Sequence, residues 1–158
     1  MAFAVLSPKY PDLELVIVGG NLTDHPDLEK VCAERGLDQR VRSLGFVSKQ
    51  ELRTLYHLAQ IFVFPSLYEG FGLPPLEAMA CGVPTITSDR SSLREVAGKA
   101  ALTIDPDDAD SLATALRRVL SEPELARELG ARGLQRAAGF SWRQAARQME
   151  TIFLESLQ

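Results

Sequence analysis

The run Ile61-Phe62-Val63-Phe64 is followed by a glycine-containing loop and then by a helix-like stretch that opens on Pro74-Pro75. No other feature narrows the fold as much. A strand with no polar alternation is buried on both faces, the habit of parallel sheets. Two adjacent prolines are tolerated in a helix only at its first turn, where missing N–H groups cost nothing. A parallel strand cannot meet its neighbour through a tight turn and needs a crossover, usually a helix. The junction therefore predicts alternating strands and helices.

The rest of the chain alternates in that way. Residues 13–18 are apolar and β-branched, and Gly19-Gly20 end them. Residues 26–35 read as a helix stopped by Gly36. Residues 41–47 read as the next strand. Ser48 and Glu51 form a capping box, and Leu52, Leu55, Tyr56 and Ala59 then share one face. Residues 85–87 and 101–104 read as short strands. Ser92 with Glu95, Ser121 with Glu124 and Ser141 with Gln144 read as further capping boxes. Leu112, Leu116, Val119 and Leu120 make one helical stripe, and Met149, Ile152, Phe153 and Leu157 another. The order implies an α/β fold, a parallel sheet with helices on both faces. Phe3, Val5, Leu6 and Tyr10 read as the tail of a helix leading into the first strand, so one strand before it is expected to be missing.

At 158 residues the chain is about one domain. Seventeen basic residues against 21 acidic ones give a net charge of −4, which argues against nucleic acid as a partner. No apolar run approaches the ~20 residues of a membrane span, and no signal-peptide pattern is visible. Cys32 and Cys81 lack metal spacing and are too few for a disulfide framework, so a cytoplasmic protein is expected.

Candidate chemistry gathers in Glu69-Gly70-Phe71-Gly72-Leu73-Pro74-Pro75-Leu76-Glu77. A loop before a helix N-terminus suits an anion, above all a phosphate. Gly70 and Gly72 permit unusual backbone angles and close ligand approach. A carboxylate at each end accepts hydrogen bonds from hydroxyls, so phosphate plus hydroxyls suggests a nucleotide-sugar. Pro75 stands where a dinucleotide fingerprint has its third glycine, and no Gly-Lys-Ser/Thr follows for a P-loop. The bland readings stay open at this point: a plain turn, a solvated Glu69, and a Glu77 that stabilises the helix dipole. No His/Cys/Asp cluster has metal spacing, and Ser66 and Ser88 lack a local base for a nucleophilic triad. His25, His57 and Trp142 read as surface or packing residues. Asp105, Asp107 and Asp108 read as capping residues.

The stretch FVFPSLYEGFGLPPLEAMACGV, residues 62–83, closely resembles the C-terminal half of retaining glycosyltransferases of family four, which have the GT-B fold. The paired glutamates separated by seven residues are that family's signature. The resemblance extends from LVIVGG through VRSLGFVSKQELRTLYHLAQ to REVAGKAALTIDPDD and FSW, nearly the whole chain. It implies a Rossmann-like domain and hexosyl transfer from a nucleotide-sugar to an acceptor hydroxyl with retention. It implies a catalytic Glu69 at the donor hexose and a Glu77 that binds the ribose hydroxyls. Gly70, Phe71, Gly72 and Leu73 would hold the diphosphate and sugar. Phe46 and Val47 would border the nucleobase, and Gly19 and Gly20 would line the cleft floor. No metal or other cofactor is implied. The Leu73-Pro74-Pro75-Leu76 version of the motif resembles bacterial mannosyltransferases of polysaccharide synthesis, so GDP-mannose is an expected donor beside UDP-hexoses. The family's upstream Arg and Lys have no match, Lys9 being misplaced. The acceptor-binding N-terminal domain is also expected to be missing, and with it any membrane association. The alternatives are a non-catalytic nucleotide- or protein-binding module and a GT-B-fold epimerase. A phosphorylase would want a pyridoxal-phosphate lysine, and none lies in or beside the motif.

Overall fold

A computed structural model describes residues 2–156. The elements alternate as the sequence implies: α1 (Ala2–Leu6), β1 (Leu15–Ile17), α2 (Pro26–Glu34), β2 (Val41–Ser43), α3 (Lys49–Leu58), β3 (Phe62–Phe64), α4 (Leu73–Ala80), β4 (Thr85–Ser88), α5 (Ser91–Ala97), β5 (Leu102–Ile104), α6 (Ala109–Ser121), α7 (Pro123–Ala138) and α8 (Trp142–Ser156). Every strand pair is parallel. The pairing runs in two ladders, β1-β2 and β3-β4-β5. β4, flanked on both sides, is buried at all four residues, whereas β1 and β3 are partly exposed. The apolar run 61–64 has therefore lost water on its β4 side and kept some on the other.

Helices cover the strands through four apolar clusters. Ile86 and Ile104 pack against Ala115, Val119 and Leu129 of α6 and α7. Leu76 and Met79 of α4 pack with Val96 and Ala97 of α5. Tyr56 of α3 meets Ala78 and Val83. Phe3, Cys32, Leu37 and Val41 form a separate cluster under the β1-β2 ladder. Met79, Ile86, Leu93 and Leu129 are almost wholly buried, and each such side chain contributes about 1.5–3 kcal/mol. Arg40 ties the N-terminal segment to β2: its guanidinium donates to the carbonyls of Ser7 at 2.8 Å, Leu13 at 2.7 Å and Tyr10.

α7 approaches α4 closely because two glycines face it. A Cβ on Gly130 would stand 2.6 Å from the Gly82 carbonyl oxygen, and one on Gly133 would stand 3.3 Å from Met79. This contact braces the far end of the helix that carries Glu77.

Several local expectations are corrected. The strand at 41–47 ends at Ser43, because Gly45 takes a φ of 61° and turns the chain. Arg90, not Ser92, caps α5. α6 runs through Ser121, and Glu122 caps α7 ahead of Pro123, so the expected box at Ser121 is absent. Ser141 does accept from the Gln144 N–H at 3.1 Å, and the Ser48–Glu51 box forms in both directions. Asp108 caps α6, accepting from Asp110 and Ser111. The last apolar stripe is not packed: Met149, Ile152 and Phe153 are all more than half exposed, and Trp142, outside that stripe, is exposed too. Leu157 lies outside the described residues.

Candidate functional site

β1, β2 and β3 lead at their carboxyl ends into the loops that hold the candidate residues, the place where α/β sheets bind ligands. On the β1-β2 side, the Gly19 N–H donates to the Gly45 carbonyl at 2.8 Å, and Ser43 donates to the Gly20 carbonyl at 2.6 Å. Gly19 has a φ of 101°, a left-handed value that favours glycine. Gly20 has no such conformation. Phe46 stands 90% exposed beyond these loops, with Val47 half-buried beside it.

On the β3-β4 side the loop from Glu69 to Leu73 runs over α5. Gly72 caps α4 at φ 98°, ψ 55°. A Cβ there would meet Cδ2 of buried Leu93 at 2.5 Å, so both conformation and space require glycine. Gly70 has neither constraint: its φ is not left-handed and its surroundings are open. Phe71 is held edge-on by Phe140, with ring centroids 5.9 Å apart, and Arg136 lies 4.8 Å over the Phe140 ring.

The free backbone donors lie elsewhere than the sequence suggests. Leu73 occupies the first helical position, and Pro74 and Pro75 the second and third. The prolines bring no N–H, so the first turn of α4 supplies little. The donors are in the loop. Among the described residues, the N–H groups of Gly70, Phe71, Gly72 and Leu73 take no protein acceptor. Four consecutive free amides flank a left-handed glycine, the backbone pattern from which anion-binding nests are built.

Glu77 lies in the second turn of α4, not the first, and the first turn holds no acidic residue. The dipole effect fades within one turn, so dipole stabilisation does not account for Glu77. Its side chain is tied elsewhere: buried Tyr56 donates its hydroxyl to Glu77 Oε2 at 3.3 Å. Burial, and then the adjacent Glu77 charge, push the Tyr56 phenol well above its usual pKa. It therefore stays protonated and remains a donor. The second carboxylate oxygen of Glu77 has no protein donor among the described residues, and the residue is exposed. Tyr56 is a residue that sequence reasoning placed only on an apolar face. The available signal was the phenol itself, since a buried tyrosine hydroxyl needs a partner.

Glu69 is half-buried at the other end of the loop. Its N–H donates to Ser91 Oγ at 3.0 Å, and its carbonyl accepts from Ser92 Oγ at 2.9 Å. The structure thus brings Glu69, Gly70, Phe71, Gly72, Leu73 and Glu77 together on one ladder. Gly19, Gly20, Phe46 and Val47 sit on the other, and no hydrogen bond joins the two groups among the described residues. No described helix is long and apolar enough to cross a membrane.

Known proteins resemble this chain in sequence and in fold. Residues 1–136 match the profile of the family described as glycosyl transferases group 1. O-antigen chain mannosyltransferase B of Escherichia coli is 45% identical over 135 residues, which are 85% of this chain and 34% of that protein. The chain therefore spans about a third of that relative's length. Among solved structures, sucrose-phosphate synthase from Thermosynechococcus elongatus superposes with a TM-score of 0.84 at 32% identity, over 99% of this chain and 41% of that one. The C-terminal domain of a glycosyl transferase group 1 family protein from Francisella tularensis superposes with a TM-score of 0.78 at 28% identity, over 87% of this chain and 74% of that one. The architecture is that of the C-terminal domain of GT-B glycosyltransferases.

Proposed function

The chain belongs to the group 1 glycosyl transferases, and from that premise we propose that it forms the nucleotide-sugar-binding domain of an enzyme that transfers a hexose to an acceptor hydroxyl with retention. The single observation that carries this reading is the run of free amides at Gly70–Leu73 with a carboxylate at each end. A nucleoside diphosphate needs donors for its phosphate oxygens, and the four amides supply them. Glu77, held from behind by Tyr56, presents its other oxygen to a pair of vicinal hydroxyls such as those of a ribose. Glu69 offers a second acceptor to the hydroxyls of the hexose. Phe46 offers a face for the base. Similarity to the E. coli mannosyltransferase favours mannose as the hexose and GDP-mannose as the donor. The phosphate charge is met by amides, so the reading requires no divalent metal. Because the chain spans about a third of that relative, the acceptor is assigned to a partner domain, and the 158-residue chain alone is expected to bind donor without transferring sugar.

Calorimetric titration with GDP-, UDP- and ADP-hexoses tests the reading. One of them should bind, and Glu77→Ala should weaken that binding by about 1.5–3 kcal/mol, the range for hydrogen bonds to charged groups. The loss should shrink for a 2′,3′-dideoxy nucleotide. Equal losses for both ligands would remove Glu77 from the ribose. EDTA should leave binding intact, and loss restored by a divalent ion would overturn the metal-free assignment.

A further inference from the structure

Among the described residues, Ser91 is the one non-glycine with a left-handed φ, at 50°. Such a conformation costs on the order of 1–3 kcal/mol and persists where the surroundings impose it. Here they do. Arg90 just before it is held by Asp105 at 2.9 Å and by Asp107 at 2.7 Å. The Asp89 N–H donates to the Ile104 carbonyl at the end of β5. Leu93, two residues further on, is fully buried. The turn between these anchors is fixed by parts of the molecule remote from Glu69.

What the strained turn presents is specific. Ser91 Oγ accepts from the Glu69 N–H, and Ser92 Oγ donates to the Glu69 carbonyl. One residue's main chain is gripped on both sides, by two hydroxyls of opposite roles. Leu93, next in sequence, fills the space that a side chain at Gly72 would need. The three consecutive residues thus hold both ends of the 69–72 loop.

We propose that Ser91, Ser92 and Leu93 are the positioning element of the proposed donor site, and that the two serines set the aim of the Glu69 carboxylate at the hexose. With its backbone fixed, Glu69 has only its side-chain torsions left to order when sugar binds. A glycine at 91 would relieve the strain but give up the hydroxyl. The inference rests on the proposed function and names how that site is tuned.

The test compares GDP-mannose with GDP, and UDP-glucose with UDP, for the wild-type chain and for Ser91→Gly, Ser92→Ala and Ser92→Thr. The readout is the hexose increment, the ratio of affinities with and without the sugar. Ser91→Gly and Ser92→Ala should reduce it about five- to tenfold, the scale of one hydrogen bond, with a smaller loss of affinity for the bare nucleoside diphosphate, which the same loop is proposed to hold. Ser92→Thr, which keeps the hydroxyl, should restore it. Ser91→Gly should not lower the melting temperature, because strain is released, and the Glu69 amide should exchange faster with solvent. An unchanged increment alongside faster amide exchange would overturn the positioning role. So would an equal fall in bare-nucleotide affinity, which marks a general structural effect. A wild-type chain with no hexose increment for either pair would overturn the proposed function, and this inference with it.

Discussion

In the β1-β2 ladder the strand ends are joined by main-chain bonds and one side-chain hydroxyl, that of Ser43 to the Gly20 carbonyl, whereas in the β3-β5 ladder four side-chain hydroxyls make the joins. Gly19 donates to Gly45 on the first. On the second, Thr87 reaches the Phe64 carbonyl at 3.0 Å, Ser88 the Ser66 carbonyl at 2.6 Å, and Ser91 and Ser92 take the two sides of Glu69. Thr87 and Ser88 are wholly buried. Phe46, on the first ladder, is almost bare. A hydroxyl buried with its acceptor is costly to displace, since its loss strands a desolvated carbonyl. On the first ladder the Ser43 hydroxyl and its Gly20 acceptor are only half-buried, so that penalty is smaller. The first ladder is the more adaptable wall of the site, and the second is the fixed one.

This contrast is exposed to test. The largest effect should come from Gly72→Ala. The new methyl group meets buried Leu93 and the φ of 98° is unfavourable for alanine, so about 2–4 kcal/mol of stability should be lost in urea unfolding. A loss under about 1 kcal/mol would show that Leu93 turns aside and that the second wall is not rigid. Gly130→Ala should follow, at about 1–3 kcal/mol, because it drives a methyl group onto the Gly82 carbonyl, which is backbone and cannot rotate away. Gly45→Ala carries the comparison to the first wall. Its φ is 61°, but the atom in the way is Oδ1 of Asn21, at the end of an exposed side chain. A loss of about 1 kcal/mol, for the backbone alone, is expected. A loss equal to that of Gly72→Ala would erase the distinction between the walls. Phe46→Ala should change stability least, within about 0.5 kcal/mol. On the proposed function it should nonetheless weaken nucleotide binding by about 1 kcal/mol through lost base stacking, measured by calorimetry against the wild type. Unchanged binding would remove Phe46 from the base site.

The sequence by itself determined the alternation of strands and helices, because a fully apolar strand before paired prolines leaves few other outcomes. It also placed the glycine loop between Glu69 and Glu77, but which of the two glycines needs a left-handed angle was decided by the fold, at Gly72. Only the tertiary structure decided how those parts work. Helix phase put Leu73 and the two prolines in the first turn of α4, which moved the free donors into the loop and Glu77 into the second turn. Packing of α3 beneath α4 turned Tyr56 from one more apolar-face residue into the donor that holds Glu77. The same applies to Ser91 and Ser92. Read along the chain, Ser92 looked like a helix cap, because capping residues and loop-binding hydroxyls have the same composition. Its partner lies 23 residues away. Local periodicity reports which face of an element is apolar, and it carries no information about which distant backbone that face will meet.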